Sequence, residues 1–116
     1  DLLTERIADA RPLASFLLSS QSSPELWEAV GRCIRRFHDA GVCHADLNVH
    51  NILVAPNGAV FLIDFDRGAR RPPGGWMQEN LRRLRRSVNK ISQGLLAPDP
   101  AERDWAALLR GYGRMV

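Results

Sequence analysis

The chain has 116 residues, 45% of them hydrophobic and 25% charged, which suits one modest core-forming domain and excludes a disordered tail. No apolar run approaches the roughly 18 residues that a membrane-spanning helix needs, and the N-terminal DLLTERIADA has neither the basic start nor the apolar stretch of a signal peptide. The net charge of +3 is unevenly spread: between Arg67 and Lys90 there are eight cations against one acid, Glu79, so the rest of the chain is net acidic. Such a block favours an anionic partner, whether phosphate, nucleic acid or lipid headgroup. Cys33 and Cys43 have no metal-ligand spacing and are read as small buried hydrophobes in a reducing cytoplasm. The chain has no initiator Met and opens in a strand-like segment, so it is expected to be part of a longer protein.

In chain order, Leu2–Ile7 reads as a short strand, followed by a connector with an apolar helical turn from Leu13 to Leu18. Ser23–Pro24–Glu25 is a helix start, with a Ser cap, Pro at the first position and an acid in the first turn. That helix is predicted over 24–40, with Leu26, Val30, Cys33, Ile34 and Phe37 as its buried stripe and Gly41 as its left-handed stop. Ile52–Ala55 and Val60–Ile63 read as a hairpin turned by Pro56–Asn57–Gly58. Positions 67 to 75, dense in Arg, Pro and Gly, read as loop. A second helix is predicted over 76–93, closed by Gly94, with Leu81, Leu84, Val88 and Ile91 inward and the arginines opposite. A third, over 100–113, starts at Asp99–Pro100, with Glu102 reaching back to the cap and Trp105, Leu108, Leu109 and Tyr112 buried. There are no internal repeats and no second domain. The fold class is α+β, mainly helical, with a small β-hairpin on its surface.

The chemistry concentrates between positions 41 and 68, GVCHADLNVHNILVAPNGAVFLIDFDRG. Asp46 and Asn51 lie on a loop that enters one hairpin strand, and Asp64 ends the other. The hairpin is expected to fold Asp64 back beside Asn51. Buried carboxylates need a partner. Phosphoryl transfer calls for this set: oxygen ligands for a hard cation and a carboxylate to orient a hydroxyl and take its proton. A donor network capping the hairpin is the simpler alternative.

The pattern H-x-D-L-x-x-x-N-I-L, then I-D-F, resembles the catalytic and metal-binding segments of protein-kinase-like phosphotransferases; it is carried by His44, Asp46, Leu47, Asn51, Ile52, Leu53, Ile63, Asp64 and Phe65. HADLNVHNIL, LIDFDRG, NLRRLRRSVNK, the opening DLLTERI and the ending WAALLRGY together resemble the 3-deoxy-D-manno-octulosonic acid (Kdo) kinases of lipopolysaccharide synthesis, over nearly the whole chain. The resemblance implies the C-terminal lobe of the protein-kinase-like fold, with a hinge strand at 1–7 and the N-terminal lobe absent from this chain. It implies ATP and Mg²⁺ as cofactors, and phosphorylation of the 4-hydroxyl of the Kdo sugar on Kdo–lipid A. Asp46 is then the catalytic base, Asn51 and Asp64 hold the metal, and His44 braces the loop. Glu5 and Ile7 stand at the hinge positions that offer backbone groups to adenine. That acceptor lies on the cytoplasmic face of the inner membrane, which makes a cytoplasmic, peripheral location the expectation.

The chain departs from protein kinases at Asn48, where they usually carry Lys, and at Asp66, where they carry Gly. Only eleven residues separate Asp64 from Trp76, too few for a regulated activation loop, which favours a small-molecule or lipid acceptor. A Gly-rich phosphate loop and strand Lys are missing, so the chain alone is expected to be poorly active. Arg67, Arg70 and Arg71 are candidates for substrate contact. Asp66 is read either as a metal or substrate ligand or as an ion-pair partner of Arg67 or Arg70. Arg82, Arg83, Arg85 and Arg86 read either as a solvated face or as a contact to substrate or membrane headgroups. The alternatives are another small-molecule kinase of the same fold, of aminoglycoside or choline type, and a non-catalytic basic membrane-binding module. Few aromatics interleave with the arginines, so nucleic acid is not an expected partner.

Overall fold

The computed structural model describes residues 9–19, 21–44, 47–63, 69–70, 72, 74–93 and 99–113. The predicted strand at 1–7 and the Gly94 stop lie outside them. Among the described residues nine elements follow one another. Strand β1 (Arg11–Pro12) leads into helix α1 (Leu13–Leu18) and then α2 (Pro24–Asp39). The short strands β2 (Val42–Cys43), β3 (Ile52–Val54), β4 (Val60–Leu62) and β5 (Ala69–Arg70) come next. Helices α3 (Trp76–Ser92) and α4 (Asp99–Gly113) complete the order. The described chain is α+β and dominated by its helices.

The ends of α2 are set by local chemistry. Ser23 caps it by accepting the Leu26 N–H on its hydroxyl, and Pro24 fills the first turn, where no N–H is needed. At the other end Gly41 takes φ 77°, a left-handed conformation that a side chain would oppose, and its N–H donates to the His38 carbonyl.

The sheet is larger than the expected hairpin. β3 and β4 pair antiparallel, with Ile52 opposite Leu62 and Val54 opposite Val60. Their turn closes through Ala55 N–H to the Ala59 carbonyl and Ala59 N–H to Asn57 Oδ1. β1 adds to the free edge of β3, with Arg11 opposite Val54, giving the order β1-β3-β4. Positions 11–12 had read as connector. Two residues are too short to carry a period, so only the neighbouring edge defines that strand. Likewise β2 and β5 form a second pair, Val42 opposite Arg70, and β5 lies inside the 67–75 segment expected as loop.

One core joins these layers. Leu13, Leu17, Val30, Ile34, Leu47, Val49, Ile52, Val54, Leu84 and Val88 meet in it. Full burial of each such side chain contributes about 1.5–3 kcal/mol before entropic costs. α2 buries two faces, not the single predicted stripe. Val30, Cys33 and Ile34 face the sheet side, where Cys33 Sγ meets the Val60 carbonyl at 3.7 Å. Trp27, Gly31 and His38 are also buried, while Leu26 and Phe37 are only half covered. The second face belongs to α4. A Cβ on Gly31 would stand 2.0 Å from the Leu108 carbonyl oxygen, and one on Gly111 2.1 Å from that of Glu28. The two helices therefore cross backbone to backbone. In consequence Ala107, Leu108 and Tyr112 are buried on α4, Trp105 is half-buried, and Leu109, expected inside, is 45% exposed. Glu102 pairs with Arg85 of α3. Asp104 is fully buried: its Oδ2 accepts the Ser22 hydroxyl at 2.5 Å, and Ser22 Oγ accepts Trp27 Nε1–H at 2.5 Å. That chain fastens the start of α2 to α4.

Candidate active site

The segment that carries the sequence motif runs from the end of β2 into β3. Its side chains alternate. Leu47 and Val49 enter the core, Asn48 is half-buried, and His50 is exposed. The backbone between them is hydrogen-bonded on several sides. The Val49 N–H donates to Ser87 Oγ of α3 at 3.1 Å, and the Val49 carbonyl accepts Ala14 N–H of α1 at 3.1 Å. Asn48 Oδ1 accepts the His50 N–H at 2.8 Å, and the Asn48 carbonyl accepts the Asn51 N–H at 3.1 Å. Asx-type bonds of this kind hold a turn without secondary structure around it.

Ile63, the residue before Asp64, is held from two sides. Its N–H donates to the Asn51 carbonyl at 3.0 Å, and its carbonyl accepts Nε2–H of His44 at 2.6 Å. A carbonyl only accepts, so the His44 Nε2 proton is committed to this bond, as a bracing role requires. Asn51 is buried at the head of β3, with 8% of its surface exposed. The ladder thus brings the chain just ahead of Asp64 opposite Asn51.

Behind the loop lies a buried polar relay. Asn80 of α3 donates from Nδ2 to the His44 carbonyl at 3.0 Å, and its Oδ1 faces His38 Nε2 of α2 at 3.3 Å. The other ring nitrogen, Nδ1, faces the Tyr112 hydroxyl of α4 at 2.8 Å. An amide oxygen can only accept, so Nε2 carries the ring proton and Nδ1 accepts from Tyr112: a neutral imidazole satisfies every partner. Burial pushes the His38 pKa below its ordinary value and the Tyr112 pKa above its own, which keeps both groups uncharged. Trp76 packs its edge on His38, with ring centroids 4.9 Å apart, and donates its N–H to the Pro72 carbonyl. Helices α2, α3 and α4 thereby converge on the backbone of His44.

Of the residues singled out in the sequence, His44 and Asn51 are brought together through Ile63. Asp46, Asp64, Asp66, Arg67, Arg71, Glu5 and Ile7 lie outside the described residues, as does the side chain of Arg70, whose backbone forms part of β5. Among the described residues no group of three His, Cys, Asp or Glu side chains could hold a metal, and no helix is long and apolar enough to cross a membrane.

The arginines of α3 are not one solvent-facing stripe. Arg85 turns toward α4, where it pairs with Glu102 and lies over the Trp105 ring at 5.4 Å. Only 22% of its side chain is exposed, so most of it is turned against α4. Arg82 pairs with Glu79 at 3.0 Å and Arg86 reaches the same carboxylate at 3.5 Å. The Arg82 hydrogen bond, with help from Arg86, holds the Glu79 pKa below the usual carboxylate range. Arg83 and Arg86 also line a groove shared with Asn48, His50 and Lys90.

Sequence reasoning gave His38 no role and passed over Asn80, Ser87 and Asp104. A signal was present for two of them. Asn80 precedes Leu84 and Val88 at i, i+4, i+8, and His38 follows Val30 and Ile34 at the same spacing. A polar side chain on an apolar stripe must find a buried partner.

Fold and site together define an α+β domain that presents a clamped polar loop, H-x-D-L-x-x-x-N, beside a basic helix. The model of the lipopolysaccharide kinase (Kdo/WaaP) family matches residues 1–112, and the chain belongs to that family. It is 42% identical over 115 residues to the 3-deoxy-D-manno-octulosonic acid kinase of Mannheimia succiniciproducens, covering 97% of this chain and 48% of the relative. It is 47% identical over 113 residues to the same-named protein of Stenotrophomonas maltophilia, covering 96% and 44%. The Vibrio vulnificus protein of that name is 43% identical over 114 residues, covering 97% and 47%. The chain thus spans just under half the length of these relatives.

Proposed function

We propose that this chain is the catalytic, C-terminal-lobe half of a protein-kinase-like enzyme that transfers the γ-phosphoryl group of ATP to the 4-hydroxyl of the Kdo sugar on Kdo–lipid A. The observation that carries the reading is the double hold on Ile63 by Asn51 and His44, which ties the H-x-D-L-x-x-x-N loop to the strand leading into I-D-F. The family and the relatives' names supply the acceptor.

In this reading Asp46 orients the acceptor hydroxyl and takes its proton as the phosphoryl group moves in line. His44 fixes the loop by donating its Nε2–H to the Ile63 carbonyl. The amide oxygen of Asn51 and the carboxylate of Asp64 are the hard oxygen donors that Mg²⁺ takes. Asn51 fits this role: it is a buried amide on backbone bonded to the residue before Asp64. Bound Mg²⁺ supplies charge neutralisation at the nucleotide phosphates. The backbone at Glu5 and Ile7 receives adenine, and Arg67, Arg70, Arg71 and Asp66 contact the substrate. The enzyme works at the cytoplasmic face of the inner membrane, where its acceptor is made.

The test uses the full-length protein that carries this chain. Labelled γ-phosphate is followed from ATP–Mg²⁺ onto Kdo–lipid A precursor, beside Asp46→Asn. Transfer by the parent and its loss in the variant support the reaction and the base. Transfer to a different alcohol, with none to Kdo, sinks the acceptor.

A further inference from the structure

The structure assigns Ser87 of α3 as a positioning residue: its hydroxyl fixes the peptide plane that holds Asn51, the candidate metal ligand. This deepens the function proposed above and rests on the metal role given there to Asn51. Val49 has no exposed surface, so its N–H and its carbonyl must both be paired inside the protein. The carbonyl accepts Ala14 N–H at 3.1 Å, and the N–H donates to Ser87 Oγ at 3.1 Å. The Val49 N–H and the Asn48 carbonyl belong to one peptide unit, which is planar and trans, so the two groups point in opposite directions. On its carbonyl side that unit accepts the Asn51 N–H at 3.1 Å. Ser87 therefore holds one edge of the plane and Asn51 is bonded to the other. Turning the plane to release either bond strains both. Asn51 also accepts the Ile63 N–H on its own carbonyl at 3.0 Å, so the place of its backbone is set by the strand on one side and by Ser87, through the plane, on the other.

The helix makes Ser87 a directed acceptor. Its hydroxyl proton goes to the Leu84 carbonyl at 2.7 Å, one turn back, which leaves the oxygen lone pairs for the loop. A hydroxyl that donates and accepts at once is polarised by both bonds. Ser92 supplies the comparison within the same helix. It is buried, and its hydroxyl donates to the Val88 carbonyl at 2.9 Å, a bond that stays inside α3. Both serines bond back along the helix, which adds little to its stability. Only the one at 87 also carries a residue of the loop. Its groups are neutral, so the hold does not depend on how the neighbouring arginines are paired.

The experiment uses the full-length protein that carries this chain, with Ser87→Ala, Ser87→Thr and Ser92→Ala. Mn²⁺ replaces Mg²⁺ as a paramagnetic probe, and its affinity is read in the presence of ADP, where no transfer occurs. Amide hydrogen exchange at Val49 and Asn51 is followed in metal-free samples. Ser87→Ala is expected to weaken Mn²⁺ binding about tenfold, the lower end for groups that orient a metal ligand from behind, and to speed exchange at both amides. Ser87→Thr keeps the hydroxyl and should restore both readouts. Ser92→Ala loses a buried hydroxyl of the same helix and should leave both at parent values. Parent-like Mn²⁺ affinity in Ser87→Ala overturns the proposal. So does an equal loss in Ser92→Ala, which is a general loosening of α3, and so does a loss that Ser87→Thr leaves unrestored, which assigns the effect to the shape of the site and not to the hydroxyl. A Val49 amide that exchanges in the parent as fast as an unpaired one also overturns it, and that result needs no variant to fold. If the parent binds no Mn²⁺ with ADP, the metal role of Asn51 fails by itself. Exchange then decides the hold: faster exchange at both amides in Ser87→Ala alone supports it, and unchanged exchange overturns it.

Discussion

The crossing of α2 with α4 and the loop at 47–51 show two ways of fixing a protein. Toward α2 and α4 the structure is held by contact: Gly31 and Gly111 let backbones touch, and Trp27, Ser22 and Asp104 close a buried chain of hydrogen bonds. At the loop of residues 47–51, Leu47 and Val49 anchor in the core while the backbone is held by hydrogen bonds with Ser87, Ala14, Asn48 and Ile63. Between them the His38–Asn80–Tyr112 relay transmits the position of the helical base to the carbonyl of His44. The difference is instructive. A packed base tolerates no added atom, whereas a loop fixed through its backbone keeps its outward side chains available for chemistry.

Substitutions can break this contrast at either end. The largest effect on activity is expected from Asp46→Asn in the full-length protein: loss of a positioned base should cost about 10²–10⁴-fold in kcat with an unchanged thermal midpoint. A matched fall in the midpoint would make Asp46 a structural residue. Gly31→Ala should be the largest effect on stability. Its methyl group meets the Leu108 carbonyl, and overpacking against backbone costs about 1–3 kcal/mol or more, read by denaturant unfolding. An unchanged midpoint would show that α2 and α4 can part without loss.

Asn80→Leu removes the donor to the His44 carbonyl and leaves the buried His38 Nε2–H without its acceptor, for about 1–3 kcal/mol of stability. Its kcat should fall more than its KM rises, because the loop and not the ligand is displaced. A purely structural role would lower stability with kcat unaltered.

The relay also sets a pH dependence. Folding depresses the His38 pKa, so between the folded value and the ordinary 6.5 the unfolded chain binds the extra proton. Stability contributed by neutral His38 is therefore complete above 6.5 and is lost as pH falls below it. His38→Gln should flatten that slope in thermal melts, and an identical slope would remove His38 as its cause. The smallest effect belongs to Arg82→Gln, an exposed ion pair, which should change stability by less than about 0.5 kcal/mol.

Much of this protein is written locally. Ser23–Pro24 starts α2 and Gly41 stops it, because caps act on the adjacent turn. Pro56–Asn57–Gly58 turns the hairpin, and the motif spacing marks the loop and the strand ahead of Asp64. Family membership likewise follows from the order of residues. Other features depend on which surfaces meet. The two residues of β1 are a strand only because the edge of β3 accepts them. Trp27, Gly31 and His38 are inside because α4 covers a second face of α2, and one hydrophobic stripe cannot announce two neighbours. Leu109 is left outside by the same docking. The arginines of α3 look alike in sequence and are sorted only by the fold: Glu102 and Trp105 claim Arg85, Glu79 takes Arg82 and Arg86, and Arg83 and Arg86 line a groove with Asn48, His50 and Lys90. Caps, turns and motif spacing are short-range and legible in order, whereas charge pairing and close helix crossing depend on partners tens of residues away, which only the packed chain brings within reach.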